Sequence, residues 1–238
     1  MGWGKMVLGA MSAATMAATV AAKGPADDIR ALTPDTALVI MKSETWQPAP
    51  SMKSAYRLTL SIYDPANEKL LGKPFGGSAE FAAQDKKFID GYLVVRVKPG
   101  RWVFQSYSQQ DKWALCFNAA SSQFDVKPGQ IVYLGEFDAL HHRQQLTITA
   151  IRSGKSSISG YGFADFFDLA EGPAFKPIDQ QQLDAVRAML TRTAPAVTAP
   201  LVAATYSPAK FGTGSTLFAE RRCGGYFMTG AKPKPATK

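Results

Sequence analysis

Histidine and cysteine are scarce in this chain of 238 residues, which contains two of each. His141 and His142 are neighbours in the segment ALHHRQQ, and in an extended strand adjacent side chains point to opposite faces, so that both could not reach one metal ion. In a turn they could, and Asp138 lies near enough along the chain to serve either ring. Neither cysteine has a second cysteine or a histidine at ligand spacing. We therefore predict no metal site and no cofactor.

Recognisable catalytic motifs are also missing. No G-x-S-x-G occurs, and GYGFAD (160–165) has an aspartate where a dinucleotide-binding loop has its third glycine. Tyr206 and Lys210 have the spacing of a short-chain dehydrogenase, but Pro208 between them disfavours the helix that would bring them together. These absences favour a protein without enzymatic activity. The alternative is a hydrolase acting on an envelope polymer, with a site formed only in three dimensions.

No apolar run in the sequence is long enough to span a membrane, and the uncharged stretch near the N-terminus has only 17 residues. Residues 6–22 follow Lys5, carry no charge and end with Val20 and Ala22 at the positions that a signal peptidase reads. We predict a signal peptide over 1–22 and a linker over 23–35. The alternative, a retained membrane anchor, is disfavoured because a spanning helix needs about 20 predominantly apolar residues. The predicted location is the periplasm or the extracellular space, which excludes nucleic acid as a partner.

Acidic residues are few towards the C-terminus. From Pro200 onward six basic side chains accompany Glu220 alone, and the ending KPKPATK is rich in proline and lysine. We predict a disordered, solvated basic tail over 231–238. The alternative is that this tail is attracted to an anionic component of the envelope, and the partner is otherwise unknown.

Export would place the two cysteines in an oxidising compartment. In an oxidising compartment an even pair usually forms a bridge, so we predict a disulfide between Cys116 and Cys223. Two separate buried thiols are the alternative, because pairing cannot be established without geometry.

Short strand-like segments dominate residues 36–152. They are rich in β-branched and aromatic residues, alternate in polarity and recur every 8 to 12 residues or so, which is typical of a sandwich or barrel. The predicted strands are 36–41, 56–64, 78–83, 92–97, 101–107, 113–117, 123–126, 131–137 and 145–151. We predict a mainly β fold, an antiparallel β-sandwich of about seven to nine short strands.

Beyond residue 152 the pattern changes. An aromatic-rich loop is predicted over 153–178, and a helix over 179–192, where Asp179 can cap the first turn and Leu183, Val186 and Leu190 form one stripe. An extended C-terminal segment, 193–230, is predicted to pack on the sandwich.

The aromatic side chains of the loop give the candidate binding surface, because large exposed apolar patches tend to mark interaction sites. A plug for one open end of the sandwich is the alternative. The residues of this surface are Tyr161, Phe163, Phe166 and Phe167.

The tetrapeptide VKPG occurs twice, at 97–100 and 126–129. Proline followed by glycine fits a type II turn, because proline presets its own backbone angle and glycine accepts a positive φ. Pro99, Gly100, Pro128 and Gly129 are therefore predicted as the structural turns of two hairpins.

The segments GYLVVRVKPGRWVFQSYS and CFNAASSQFDVKPGQIVYLGEF resemble exported bacterial proteins of uncharacterised function that contain a prealbumin-like or carboxypeptidase-regulatory-like β-sandwich. The resemblance covers residues 36–152. It implies a fold and an envelope location, and it brings no functional residues. We expect an exported, non-enzymatic envelope protein with a binding or accessory role.

Overall fold

The computed structural model describes most of the chain between residues 24 and 212. The described ranges are 24–43, 46, 49–51, 55–71, 78–109, 113–152, 165–167 and 171–212, with the backbone alone for 149–152 and 165–167. The predicted signal peptide (1–22) and basic tail (231–238) lie outside these ranges.

The described residues form three α-helices and a larger number of strands. The helices are α1 (Pro25–Arg30), α2 (Ala139–Arg152) and α3 (Gln180–Thr193), and a short 3-10 turn spans Asp85–Lys87. The strands are β1 (Ala37–Lys42), β2 (Tyr56–Asp64), β3 (Lys69–Leu70), β4 (Ser78–Ala82), β5 (Phe88–Ile89), β6 (Tyr92–Val97), β7 (Gly100–Gln109), β8 (Trp113–Cys116), β9 (Ser121–Val126), β10 (Ile131–Glu136), β11 (Asp165–Phe167), β12 (Leu201–Ala203) and β13 (Ser207–Ala209).

These strands build a sandwich of two sheets. The first sheet has the order β12-β10-β1-β6-β5, and the second runs β11-β8-β7-β2-β3, with β4 on β2, β9 on β7 and β13 on β9. Most pairs are antiparallel, but β10 lies parallel to both β1 and β12, and β11 lies parallel to β8. The predicted mainly β sandwich is confirmed, and alternation alone could not reveal the three parallel pairs.

The space between the sheets is filled by an aromatic core. Leu58, Phe104, Tyr107 and Trp113 of the second sheet face Val39 and Leu134 of the first, with further rings from the connecting segments. Trp102 and Phe104 lie in this core as the alternation of β7 predicts. Burial of such rings, each worth roughly 1.5–3 kcal/mol for a large apolar side chain, is the main source of stability.

Helices cover the outer face of the first sheet. Ile29 of α1 and Val186 of α3 are fully buried there, with Leu190 beside them. The predicted helix is confirmed as α3: Asp179 accepts a hydrogen bond from the Gln182 amide at 2.8 Å, and the Gln182 side chain accepts one from the Asp179 amide at 3.0 Å. These reciprocal bonds satisfy two amide groups that the first helical turn leaves free.

Two other helices were not expected. Helix α1 lies within the segment predicted as a linker, 23–35, and buries Pro25 and Ile29. Helix α2 occupies residues predicted as a strand, 145–151, so that prediction is wrong. The β-branched residues of that stretch favour a strand locally, but a buried stripe of α2, formed by Ala139, His142 and Leu146, packs on the core and decides the outcome.

The two VKPG segments are corners that join one sheet to the other. The first leads from β6 in the first sheet to β7 in the second, and the other leads from β9 back to β10. Gly129 has φ 66°, and the Gln130 amide donates to the Lys127 carbonyl, as a type II turn requires. Gly100 has φ 147° and already belongs to β7, where it pairs with Val126. Each VKPG segment therefore connects the two sheets, where a hairpin would connect two strands of one sheet. The two corners lie side by side because β7 pairs with β9 at Gly100 and Val126.

A bulge in β10 requires a glycine. The pairing with β1 shifts by one residue between Ile40 and Lys42, and Gly135 there has φ 92°. A Cβ at this position would lie 3.1 Å from Ile178 Cγ1 and 3.2 Å from the Lys176 carbonyl oxygen. Glycine therefore lets the segment 171–178 pass close to β10.

The described part of the C-terminal segment, residues 193–212, lies along one side of the sandwich. It pairs with β10 through β12 and with β9 through β13. Between these strands Tyr206 enters the core beside Phe104 and Phe175, and its hydroxyl donates to the Leu134 carbonyl.

Candidate functional site

The predicted aromatic surface is described only in part. Phe166 and Phe167 lie in β11, whose backbone pairs with Ala114 and Leu115 at the edge of the second sheet. Tyr161 and Phe163 lie outside the described residues. The binding role of these four residues stays a prediction.

Cys116 ends β8 and is fully buried. The described part of the chain contains no free cysteine. Cys223 lies outside the described residues, so the predicted pairing with Cys116 stays a prediction.

His142 is a core residue at the start of α2. Its ring is stacked on Phe137, with 5.2 Å between the ring centroids, and meets Phe117 edge-on. The Ala174 amide donates to its Nε2 at 2.9 Å, so this nitrogen carries no proton, and Nδ1 lies 3.3 Å from the Gln145 amide oxygen. Burial lowers the pKa of His142 from 6.5 to about 4. The ring is therefore a neutral acceptor at ordinary pH.

His141 is the partly exposed neighbour. Its Nε2 lies 3.0 Å from a carboxylate oxygen of Glu171, and its backbone amide donates to Asp138 Oδ1, also at 3.0 Å. Asp138 thus caps α2 and does not orient the His141 ring. In the ranges that the structure covers, no serine hydroxyl bonds to either ring, and no three His, Cys, Asp or Glu side chains form a metal-ligand group.

The histidine pair holds a strap, the segment 171–176, against the sandwich. Glu171 pairs with His141, and the Ala174 amide bonds to His142. The strap also exchanges backbone hydrogen bonds with 136–138 through Ala174 and Lys176. Phe175 between them enters the core, where its ring centroid lies 4.9 Å from that of Phe104. Both histidines therefore serve the packing of the strap.

A groove lies beside α2, where the helix crosses the beginnings of β2 and β8. Its volume is about 280 Å³. The groove is lined by Tyr56, Trp113, Leu140, Arg143, Gln144, Leu146 and Thr147. We refer to it as the α2 groove.

The floor of the α2 groove is apolar and its rim is polar. Trp113 and Leu146 are buried with 4% and 3% exposure, whereas Leu140 is 49% exposed. Arg143 places its guanidinium carbon 5.4 Å from the centroid of the Tyr56 ring, a cation–π geometry that holds the cation at the wall. Among the described residues, the rim thus offers the positive charge of Arg143 above the buried apolar floor.

Among the described residues that line the groove there is no carboxylate, histidine or cysteine to act as general acid, general base or thiol nucleophile. The Thr147 hydroxyl donates to the Arg143 carbonyl at 3.0 Å and is occupied within the helix.

A second depression, of about 300 Å³, lies between β4 and β6. Its lining carries charges of both signs, Asp28 and Glu80 against Lys87 and Arg96. Because these charges offset one another, this depression favours neither an anion nor a cation.

The sequence did not reveal the α2 groove. Its residues come from three separate segments, and five of them belong to α2, which contains the stretch 145–151 that was predicted as a strand. A usable indication was present in the spacing of Ala139, His142 and Leu146, which matches one face of a helix.

No protein-family model, curated protein or solved structure gives a significant match to this chain. Among the described helices, none combines the length and the apolar character that crossing a membrane requires.

Proposed function

We propose that this protein is an exported, non-enzymatic component of the cell envelope, and that it acts by binding through the α2 groove. An envelope location is supported by the character of residues 1–22 and by the resemblance of residues 36–152 to exported bacterial proteins. The proposed pairing of Cys116 with Cys223 belongs to the same environment and would close a loop of about 100 residues, worth roughly 4–5 kcal/mol in the chain-entropy treatment. The basic tail would add attraction to an anionic envelope component.

One observation carries the binding role. The α2 groove is a concave site lined by the rings of Trp113 and Tyr56, and Arg143 is the cation among the described residues of its wall. Apolar clefts with a few convergent polar groups are the usual form of a small-ligand site.

The arrangement of the histidines supports binding over hydrolysis. The His142 ring is enclosed in the core, and His141 pairs with Glu171 away from any described serine. A hydrolase would need a nucleophile and a base within hydrogen-bond reach of each other.

The test compares two variants of α2. Leu140 and Ile148 are each 49% exposed, but Leu140 lines the groove and Ile148 does not. The full chain, Leu140→Ser and Ile148→Ser are expressed in a Gram-negative host, isolated from the periplasm and measured by native mass spectrometry. We expect cleavage after Ala22, and a bound small molecule on the wild type and Ile148→Ser that is lost from Leu140→Ser.

A parallel incubation with purified cell-wall polymer tests the hydrolase alternative. Release of soluble fragments by the wild type, abolished by His141→Gln, would replace the binding role by hydrolysis. Retention of the protein in the cytoplasm with residues 1–22 intact would contradict the proposed export.

A further inference from the structure

We propose that the ligand of the α2 groove is a small amphiphilic anion, with a carboxylate or phosphate at Arg143 and an apolar body along the floor. This inference rests on the proposed binding function and adds the chemical class of the ligand.

The anionic head follows from the charge of Arg143. Four other arginines of the described chain meet a carboxylate within 3.5 Å, namely Arg30, Arg57, Arg101 and Arg192. No described carboxylate forms such a pair with Arg143, whose guanidinium lies over Tyr56 instead. A planar guanidinium fixed at a groove wall is suited to bind a carboxylate or phosphate through two parallel hydrogen bonds.

The apolar body follows from the floor. Trp113 and Leu146 form this floor, and Leu140 adds an exposed apolar side chain beside it. The polar side chains of Gln144 and Thr147 belong to the helix that forms the rim. A ligand that is charged throughout would leave this surface unmatched, and a wholly apolar ligand would bury the Arg143 cation without a partner.

The size of the ligand follows from the volume. A volume of about 280 Å³ lies just below the roughly 300–1,000 Å³ of typical ligand pockets, so the groove has room for a small molecule or for part of a larger one. This size fits a short-chain amphiphile or the end of a longer one.

The probes are sodium octanoate and monooctyl phosphate, with 1-octanol as the uncharged counterpart of similar length. Each is titrated into the mature protein at neutral pH while NMR follows the indole N–H signal of Trp113. We expect the two anions to shift this signal and to bind about tenfold more tightly than 1-octanol, because a charge-assisted hydrogen bond is added.

Variants locate the charge and the apolar contact. Arg143→Gln should weaken octanoate about tenfold and leave 1-octanol unchanged, whereas Leu140→Ser should weaken both. Lys127→Gln is the matched charge control. Lys127 is exposed in the corner that follows β9 and does not line the groove, so its replacement should leave octanoate binding unchanged. Ile148→Ser is the matched apolar control.

The outcomes separate the ligand class from the proposed function. Equal binding of octanoate and 1-octanol, with Leu140→Ser weakening both, would overturn the anionic ligand and leave the binding groove standing. Equal losses in Arg143→Gln and Lys127→Gln would also overturn it, since they would indicate attraction by net charge alone. Absence of any probe binding, together with cleavage of cell-wall polymer, would overturn both proposals.

Discussion

Lowering the pH from about 7.5 to 4 should destabilise the fold through His142. Its ring is fully buried between Phe137 and Phe117, and Nε2 accepts a hydrogen bond from the Ala174 amide. Protonation would remove this acceptor and place a charge in an aromatic environment. The nearby charged groups are Asp138 and Glu171, which favour the protonated ring, and His141, which opposes it; burial outweighs them.

The magnitude follows from the two protonation equilibria. The pKa of His142 is about 4 in the folded protein and takes the ordinary value of 6.5 when the chain is unfolded. The unfolded state therefore binds the proton first, and the stability that this residue contributes is fully present above pH 6.5 and is lost as the pH falls towards 4. At 1.36 kcal/mol for each pH unit, the total loss is about 3 kcal/mol.

The assay is urea unfolding followed by tryptophan fluorescence at several pH values between 7.5 and 4. His142→Gln keeps an acceptor near the Ala174 amide but does not titrate. The variant should be less stable than the wild type at neutral pH, and its free energy of unfolding should fall about 3 kcal/mol less between pH 7.5 and 4. His141→Gln, which leaves the buried ring in place, should retain the wild-type fall. A constant difference in stability between wild type and His142→Gln at all pH values would mean that protonation of His142 does not destabilise the fold.

Three further perturbations test the backbone, each by urea unfolding. Gly135→Ala should lower the free energy of unfolding by about 1–3 kcal/mol, and by more than Gly91→Ala does. Both glycines have positive φ, but only a methyl group at 135 would contact Ile178 and the Lys176 carbonyl. Equal losses would contradict the role of this close approach. Gly129→Val should cost about 1–2 kcal/mol, and Gly100→Val should also destabilise; loss of ligand binding without a change in stability would argue that the corners are binding elements. Asp179→Ala removes the cap of α3 and should cost about 1 kcal/mol; no loss would mean that packing alone holds the first turn.

Local patterns were sufficient to predict much of the fold. Alternation in segments such as 56–64 follows from a sheet with one face on the core, and these residues form β2. The stripe and the cap of α3 are equally local, since Asp179 and Gln182 are three residues apart. Among the described residues, eight strands contain four residues or more, which agrees with the predicted seven to nine.

The remaining features depend on contacts between distant segments. Residues 145–151 carry a strand-like composition, but in the fold they belong to α2, whose His142 and Leu146 are buried against the core. Likewise, VKPG has the same turn residues whether it joins two strands of one sheet or two different sheets. The α2 groove combines both difficulties, because Tyr56 and Trp113 reach Arg143 only after the sandwich has formed.

Ligand binding in the α2 groove is tested most directly by native mass spectrometry of the periplasmic protein, comparing Leu140→Ser with Ile148→Ser. We expect a mature chain beginning at Lys23, with a small noncovalent ligand retained by Ile148→Ser and lost by Leu140→Ser. The same ligand occupancy in both variants would contradict the α2 groove as the binding site.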